Sequence, residues 1–154
     1  MNSMVVTDIL DAQAIPYEVV EHPPARNQAE LHLTGIETER AVKTLGFTIG
    51  DTGRVVLVGI RGSGRLSYGH LARALEVSRS QLKPTTPEQV AALGMEPGGL
   101  SPICADPTIT VVFDVVVPTM GQVAVGGGTA TKTLLLVAAD LVSASPTVLV
   151  APLS

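Results

Sequence analysis

A chain of 154 residues with 45% hydrophobic residues, 16% charged residues and a formal net charge of −4 is too apolar for a disordered tail. It is also too acidic to hold nucleic acid by charge alone. Aromatics make up only 3% and tryptophan is absent, so the core has to come from Val, Leu, Ala and Ile; with 15 Gly and 11 Pro this favours a sheet with many turns.

The spacing of Val6, Ile9 and Leu10 predicts a helix near Val5–Ala14, ended by Pro16, and Tyr17–Glu21 reads as a strand. Asn27 followed by Glu30 predicts a short helix toward Thr34, with Gly35 as its stop. Ala41–Ile49 and Arg54–Ile60 flank Gly50-Asp51-Thr52-Gly53, a hairpin signal. Ser67–Leu75 is helical in pattern, and Thr86 with Pro87 opens another helix reaching Leu93. From Thr108 strands dominate: Ile109–Phe113, Gln122–Val125, Thr133–Val137 and, after a helix near Ala138–Ser143, Thr147–Val150. Strands and helices do not alternate regularly, which predicts one α/β domain over residues 1–154 with a mixed or largely antiparallel sheet.

Apolar runs such as Val55–Ile60 and Leu134–Ala139 are too short to span a bilayer, and the first residues lack the pattern of a signal peptide. The lone Cys104 gives no disulfide framework, fits a cytoplasmic location and reads as a small buried hydrophobe. His22, His32 and His70 have no metal-ligand spacing, and neither Gly62–Gly64 nor Gly126–Gly128 carries the Lys-Ser/Thr of a phosphate-binding loop, so no metal or organic cofactor is implied. Six basic residues, Arg54, Arg61, Arg65, Arg73, Arg79 and Lys83, stand against Glu76 alone in their segment. They form either a phosphate-facing patch or ordinary solvated positions.

Three segments carry candidate chemistry. Gly98-Gly99-Leu100-Ser101-Pro102 is a shaped loop whose glycines let a ligand approach backbone N–H groups and whose proline fixes its exit; it is otherwise a tight turn. Lys43 interrupts an apolar strand, with Val42 and Thr44 on one face and Ala41, Lys43 and Leu45 on the other. It is either an edge charge or a cation aimed at a pocket. Gly126-Gly127-Gly128 is either a pocket wall or a bend at a strand end.

In this order, Tyr17–His22 with Pro23-Pro24, Ala41–Leu45, Leu71–Leu75, Leu93–Pro102, Val125–Gly128 and Ala139–Leu141 resemble the YbaK/prolyl-tRNA-editing domain family of aminoacyl-tRNA deacylases. The resemblance runs through nearly the whole chain and implies a barrel-like sheet with flanking helices. It implies hydrolysis of the ester of mischarged tRNA in trans, acting on small amino acids such as Ala, Ser or Cys, with an aminoacyl-tRNA synthetase as a partner and no membrane. Lys43 matches the family's characteristic lysine, which would bind oxygens of the terminal nucleotide with neighbouring Thr44. Gly98 and Gly99 would stabilise charge on the ester carbonyl, with Leu100, Ser101 and Pro102 shaping the loop and Gly126–Gly128 the opposite wall. Attack would be substrate-assisted, by a cysteine thiol or by water activated at a ribose hydroxyl. Members acting on cysteinyl-tRNA(Pro) carry an aromatic, a second aromatic and an acid where this chain has Val20, Ala29 and Thr133. These departures leave open which amino acid is cleaved, and a non-catalytic module that binds a tRNA end, a nucleotide or a synthetase remains the alternative.

Overall fold

Hydrophobic alternation builds the central hairpin: β2 (Ala41–Ile49) pairs antiparallel with β3 (Arg54–Arg61), from Val42 opposite Arg61 to Ile49 opposite Arg54. The computed structural model describes residues 5–24, 37–50 and 52–154; the helix expected from Asn27 to Thr34, Ala29 and Asp51 lie outside them. Ahead of the hairpin come α1 (Val6–Ala12) and β1 (Glu18–Glu21). After it come α2 (Tyr68–Leu75), β4 (Leu82–Pro84), α3 (Pro87–Ala92), β5 (Thr110–Asp114), β6 (Gln122–Gly126), β7 (Lys132–Val137), α4 (Ala138–Ser143) and β8 (Val148–Ala151).

The sheet runs β1-β7-β6-β2-β3-β5-β8, with β4 also on β2. Pairings β1–β7, β6–β7, β2–β3 and β2–β4 are antiparallel; β2–β6, β3–β5 and β5–β8 are parallel. The mixed α/β architecture read from the sequence is therefore the observed one. The barrel-like closure is not: among the described residues β1 and β8 end the sheet with one strand neighbour each, so it stays open.

Alternation along each strand sends side chains to two cores. Val42, Leu57, Val111, Phe113, Val125, Leu134 and Leu136 pack with Ile9 and Leu10 of α1, Val90 of α3 and Leu141 of α4. Phe47, Val56, Val58, Ile60 and Val112 face the other way, against Leu71, Ala72 and Leu75 of α2 and against Leu153. This second core takes its buried sheet residues from β2, β3, β4 and β5, so the same face continues beyond it across β6, β7 and β1.

β2 has β3 along its whole length on one side. On the other side it is shared: β6 pairs with Ala41 and Val42, and β4 with Phe47, Thr48 and Ile49. Residues 43–46 lie between the two pairings. The connection from β4 back to this gap is set by α3, whose start follows the pattern expected of Thr86 and Pro87. The Thr86 side chain accepts from the Gln89 N–H at 3.2 Å, and the Gln89 side chain accepts from the Thr86 N–H at 2.8 Å. Thr86→Ala should cost about 0.5–2 kcal/mol in denaturant unfolding, whereas Thr86→Ser should be close to neutral. Equal losses in the two variants would show that the cap is not what holds this helix start.

Candidate functional site

The loop 96–102 and the β6–β7 hairpin tip are clasped backbone to backbone. The N–H of Gly128 donates to the Gly99 carbonyl at 2.8 Å, and the N–H of Glu96 donates to the Gly128 carbonyl at 2.8 Å. The approach requires glycine: a Cβ on Gly99 would lie 2.1 Å from the Thr129 carbonyl carbon, and one on Gly126 would lie 2.3 Å from the Leu100 oxygen. Leu100 also reaches the gap beside β2, where its side chain would be 3.4 Å from a Cβ on Gly46.

Register places the other candidates on one line. Val20 stands opposite Thr133, and Thr133 opposite Gly126. Val42 is paired with Val125, so Lys43 comes level with Gly126. Val42, Val125 and Leu134 all face the first core, so Val20, Thr133, Gly126 and Lys43 share the opposite face. At about 5 Å per strand this row spans roughly 14 Å. The backbone of Gly99 and Leu100 crosses it at Gly126, with Lys43 on one side and Thr133 with Val20 on the other.

Lys43 is half-buried, and its Nζ donates to the Gly64 carbonyl at 2.6 Å, in the turn that follows β3. That bond uses one of the ammonium's three donors. The one ion pair among the described residues is Arg40–Glu37, so no described carboxylate pairs with Lys43. Thr44 shares a face with Val42 rather than with Lys43, and its hydroxyl oxygen is buried without a hydrogen-bond partner among the described residues. Of the basic segment, Arg54, Arg65, Arg73, Arg79 and Lys83 are exposed and Arg61 is half-buried.

Within the loop the backbone donors differ. The N–H of Gly99 is taken by the Glu96 carbonyl at 2.9 Å, and that of Ser101 by the Met95 sulfur at 3.4 Å. The N–H groups of Gly98 and Leu100 have no acceptor among the described residues. Ser101 is fully buried, with its hydroxyl accepting from the Ile103 N–H, and Pro102 is buried with its carbonyl accepting from the Ser145 hydroxyl. These two residues anchor the loop from below. Gly127 and Gly128 are buried in the clasped tip, and Gly126 ends β6. Cys104 belongs to the first core, where burial pushes its thiol above the ordinary cysteine range and away from the thiolate.

The family model for the aminoacyl-tRNA editing domain matches residues 22–144. The chain belongs to that family. The match spans Lys43, both glycine segments and Thr133, and starts just after Val20. Hypothetical protein APE2540 has a crystal structure similar to this editing domain, with TM-score 0.81 and 26% identity over 96% of this chain and 97% of its own. A protein provisionally described as a trans-editing enzyme for prolyl-tRNA synthetase gives TM-score 0.80 and 27% identity, over 97% of this chain and 94% of its own. A protein of Marinobacter aquaeolei VT8, provisionally described as a signal transduction protein, shares the fold alone, with TM-score 0.66 and 15% identity over 96% of this chain and 30% of its own. No curated protein matches the sequence.

His22 gave no motif in the sequence, yet the editing domain places it against the row. Its Nε2 lies 2.7 Å from the Thr133 hydroxyl, and its Nδ1 lies 2.8 Å from the Pro23 carbonyl. The available signal was indirect: His22 directly follows the strand that pairs with Thr133, and its N–H donates to the Thr131 carbonyl. Because the clasp leaves no volume at Gly126, Gly126→Ala should separate loop from hairpin and destabilise the fold by about 1–3 kcal/mol. Gly53→Ala is a control for strain without contact, since a Cβ there meets nothing within 4 Å although its φ is +66°. Unfolding of Gly126→Ala at the wild-type midpoint would disprove the tight contact.

Proposed function

We propose that this editing domain is an aminoacyl-tRNA deacylase that cleaves the ester of mischarged tRNA in trans. Its substrates are small aminoacyl groups such as alanyl, seryl or cysteinyl, on tRNA(Pro) or a similar tRNA. The observation that carries the reading is the loop crossing the row, with the cation of Lys43, unpaired with any described carboxylate, beside it and two backbone donors, Gly98 and Leu100, that have no acceptor among the described residues.

In this reading the Lys43 ammonium contacts phosphate or ribose oxygens of the terminal nucleotide with its remaining donors. The ester carbonyl sits against the loop, and the free N–H groups stabilise the oxygen as it gains negative charge. One such donor is worth about 10²–10³ in rate. Gly98 and Leu100 fill the role that the family resemblance gives to Gly98 and Gly99, because the Gly99 N–H is already used in the turn. Water attacks the acyl carbon, assisted by the neighbouring ribose hydroxyl or by a substrate thiol. The bond to the ribose oxygen breaks, that oxygen takes a proton, and the amino acid leaves as its carboxylate.

Val20 and Thr133 bound the acyl side with small groups, and discrimination by one methylene reaches only about 1–3 kcal/mol. Selectivity among small residues is accordingly relaxed. An acidic chain of net charge −4 obtains few phosphate contacts by itself. A synthetase partner supplies the rest, in keeping with the relative described as acting for prolyl-tRNA synthetase. The activity is placed in the cytoplasm.

Deacylation measured over alanyl-, seryl-, cysteinyl- and phenylalanyl-tRNA tests the proposal, with turnover expected for the small esters and slow for the last. Binding without any turnover would instead make the domain a recognition module. Lys43→Ala should lower kcat/KM by roughly 10- to 150-fold, the worth of a charge-assisted hydrogen bond. It should cost no more than about 1.5 kcal/mol of stability, since one bond to the Gly64 carbonyl is lost. Unimpaired turnover in Lys43→Ala would remove the lysine from the mechanism.

A further inference from the structure

The two strands that end the sheet are defended differently. β1 begins and ends on a carboxylate, Glu18 and Glu21, which discourages another strand from pairing there. β8 has no such guard. Residues 141–154 hold no charged side chain, and Leu149 and Val150 are 41% and 45% exposed. Leu149 lies beside Val112 on the α2 face and Val150 beside Phe113 on the other, so this edge is apolar on both sides. Val115, also exposed, shares the face of Val150.

The backbone of this edge is complementary to itself. The Val111 N–H donates to the Thr147 carbonyl, and the Val115 N–H to the Ala151 carbonyl. By alternation Leu149 also turns its N–H and C=O toward β5, while Val148 and Val150 turn theirs outward. These outward groups have no partner among the described residues. The next outward positions on either side are Pro146 and Pro152, which have no N–H to offer. The open ladder is thus confined to Val148 and Val150, with Leu149 at its centre.

We propose that β8 is the surface through which two copies of this chain associate, antiparallel about a two-fold axis at Leu149, into one continuous sheet. Val148 of each copy then pairs with Val150 of the other, and every outward N–H and C=O of these valines is used. A shift by two residues in either direction sets a proline opposite an outward valine and leaves an acceptor unmet. Leu149 packs on its own counterpart across the axis, and on the other face the valines of both copies form an apolar strip. A second copy is the fitting occupant because each chain carries a net charge of −4, and here two such chains meet with no like charges opposed. So short a strand pair makes a weak, concentration-dependent dimer. Lys43 on β2 is separated from β8 by β3 and β5, so the row stays open in both copies. The inference does not rest on the deacylase reading.

Sedimentation equilibrium over rising protein concentration tests it. The wild type should move from the monomer mass to twice that mass and no further. Leu149→Lys and Leu149→Asp, each alone, should stay monomeric with an unchanged melting temperature, because like charges then face each other across the axis. Mixing these two variants should restore the dimer, since position 149 faces itself. Val19→Lys on β1 should associate like the wild type. Should Leu149→Lys fail to fold, Leu149→Thr, which keeps a strand-forming side chain, should still weaken association by about tenfold. A wild type that stays monomeric throughout, leaving the edge to a strand of some other protein, would overturn the proposal. So would growth beyond the dimer, a dimer that survives Leu149→Lys, or a Lys and Asp mixture that remains monomeric.

Discussion

The geometry of this protein depends on how β2 shares its second edge. Because β6 leaves at Val42 and β4 joins only at Phe47, the strand has a break in its pairing at the point where Lys43 sits. Such a break in the middle of a sheet is costly unless something occupies it, since backbone donors and acceptors there need partners or solvent. Leu100 reaches into the gap, and the Thr85 N–H takes the Gly46 carbonyl at its far end. The loop is held there by the Gly128–Gly99 and Glu96–Gly128 hydrogen bonds. One interruption in strand pairing thus brings a glycine loop and a hairpin tip together with a lysine that lies far from both in sequence.

The packing of the two faces has a functional consequence. The first core spreads across β2, β3, β5, β6 and β7 and holds most of the buried hydrophobic residues, including Phe113 and Leu134. The second is confined to the part of the sheet under α2. Stability is therefore concentrated on one face, leaving the row from Val20 to Lys43 free to be shaped by ligand requirements. Ser101 and Pro102 illustrate the opposite constraint, because their contacts with Ile103 and Ser145 fasten the loop to the large core.

Much of this was legible in the sequence where the signal is local. The face on which Lys43 lies follows from alternation, and the start of α3 follows from Thr86 and Pro87. The buried setting of Cys104 follows from its apolar neighbours. β4 escaped because Leu82–Pro84 is too short for a period of two to show. The contrast between the N–H of Gly99, used within the turn, and those of Gly98 and Leu100, without an acceptor among the described residues, depends on turn geometry, which a run of glycines does not specify. The His22–Thr133 contact depends on the pairing of β1 with β7, between segments 111 residues apart, and no local pattern announces it. Sheet closure was misjudged for a similar reason, since whether β1 meets β8 is decided by twist accumulated over the whole sheet.

The central claim is that the loop crossing the row is an acyl-carbonyl site with Lys43 at its nucleotide side. A crystal structure of the protein with 3′-alanylamido-3′-deoxyadenosine tests it most directly. The account predicts the acyl oxygen within about 3 Å of the Gly98 or Leu100 nitrogen, and the nucleotide on the side of the Lys43 Nζ. Density for the analogue away from the loop, with those two N–H groups still unused, would contradict it.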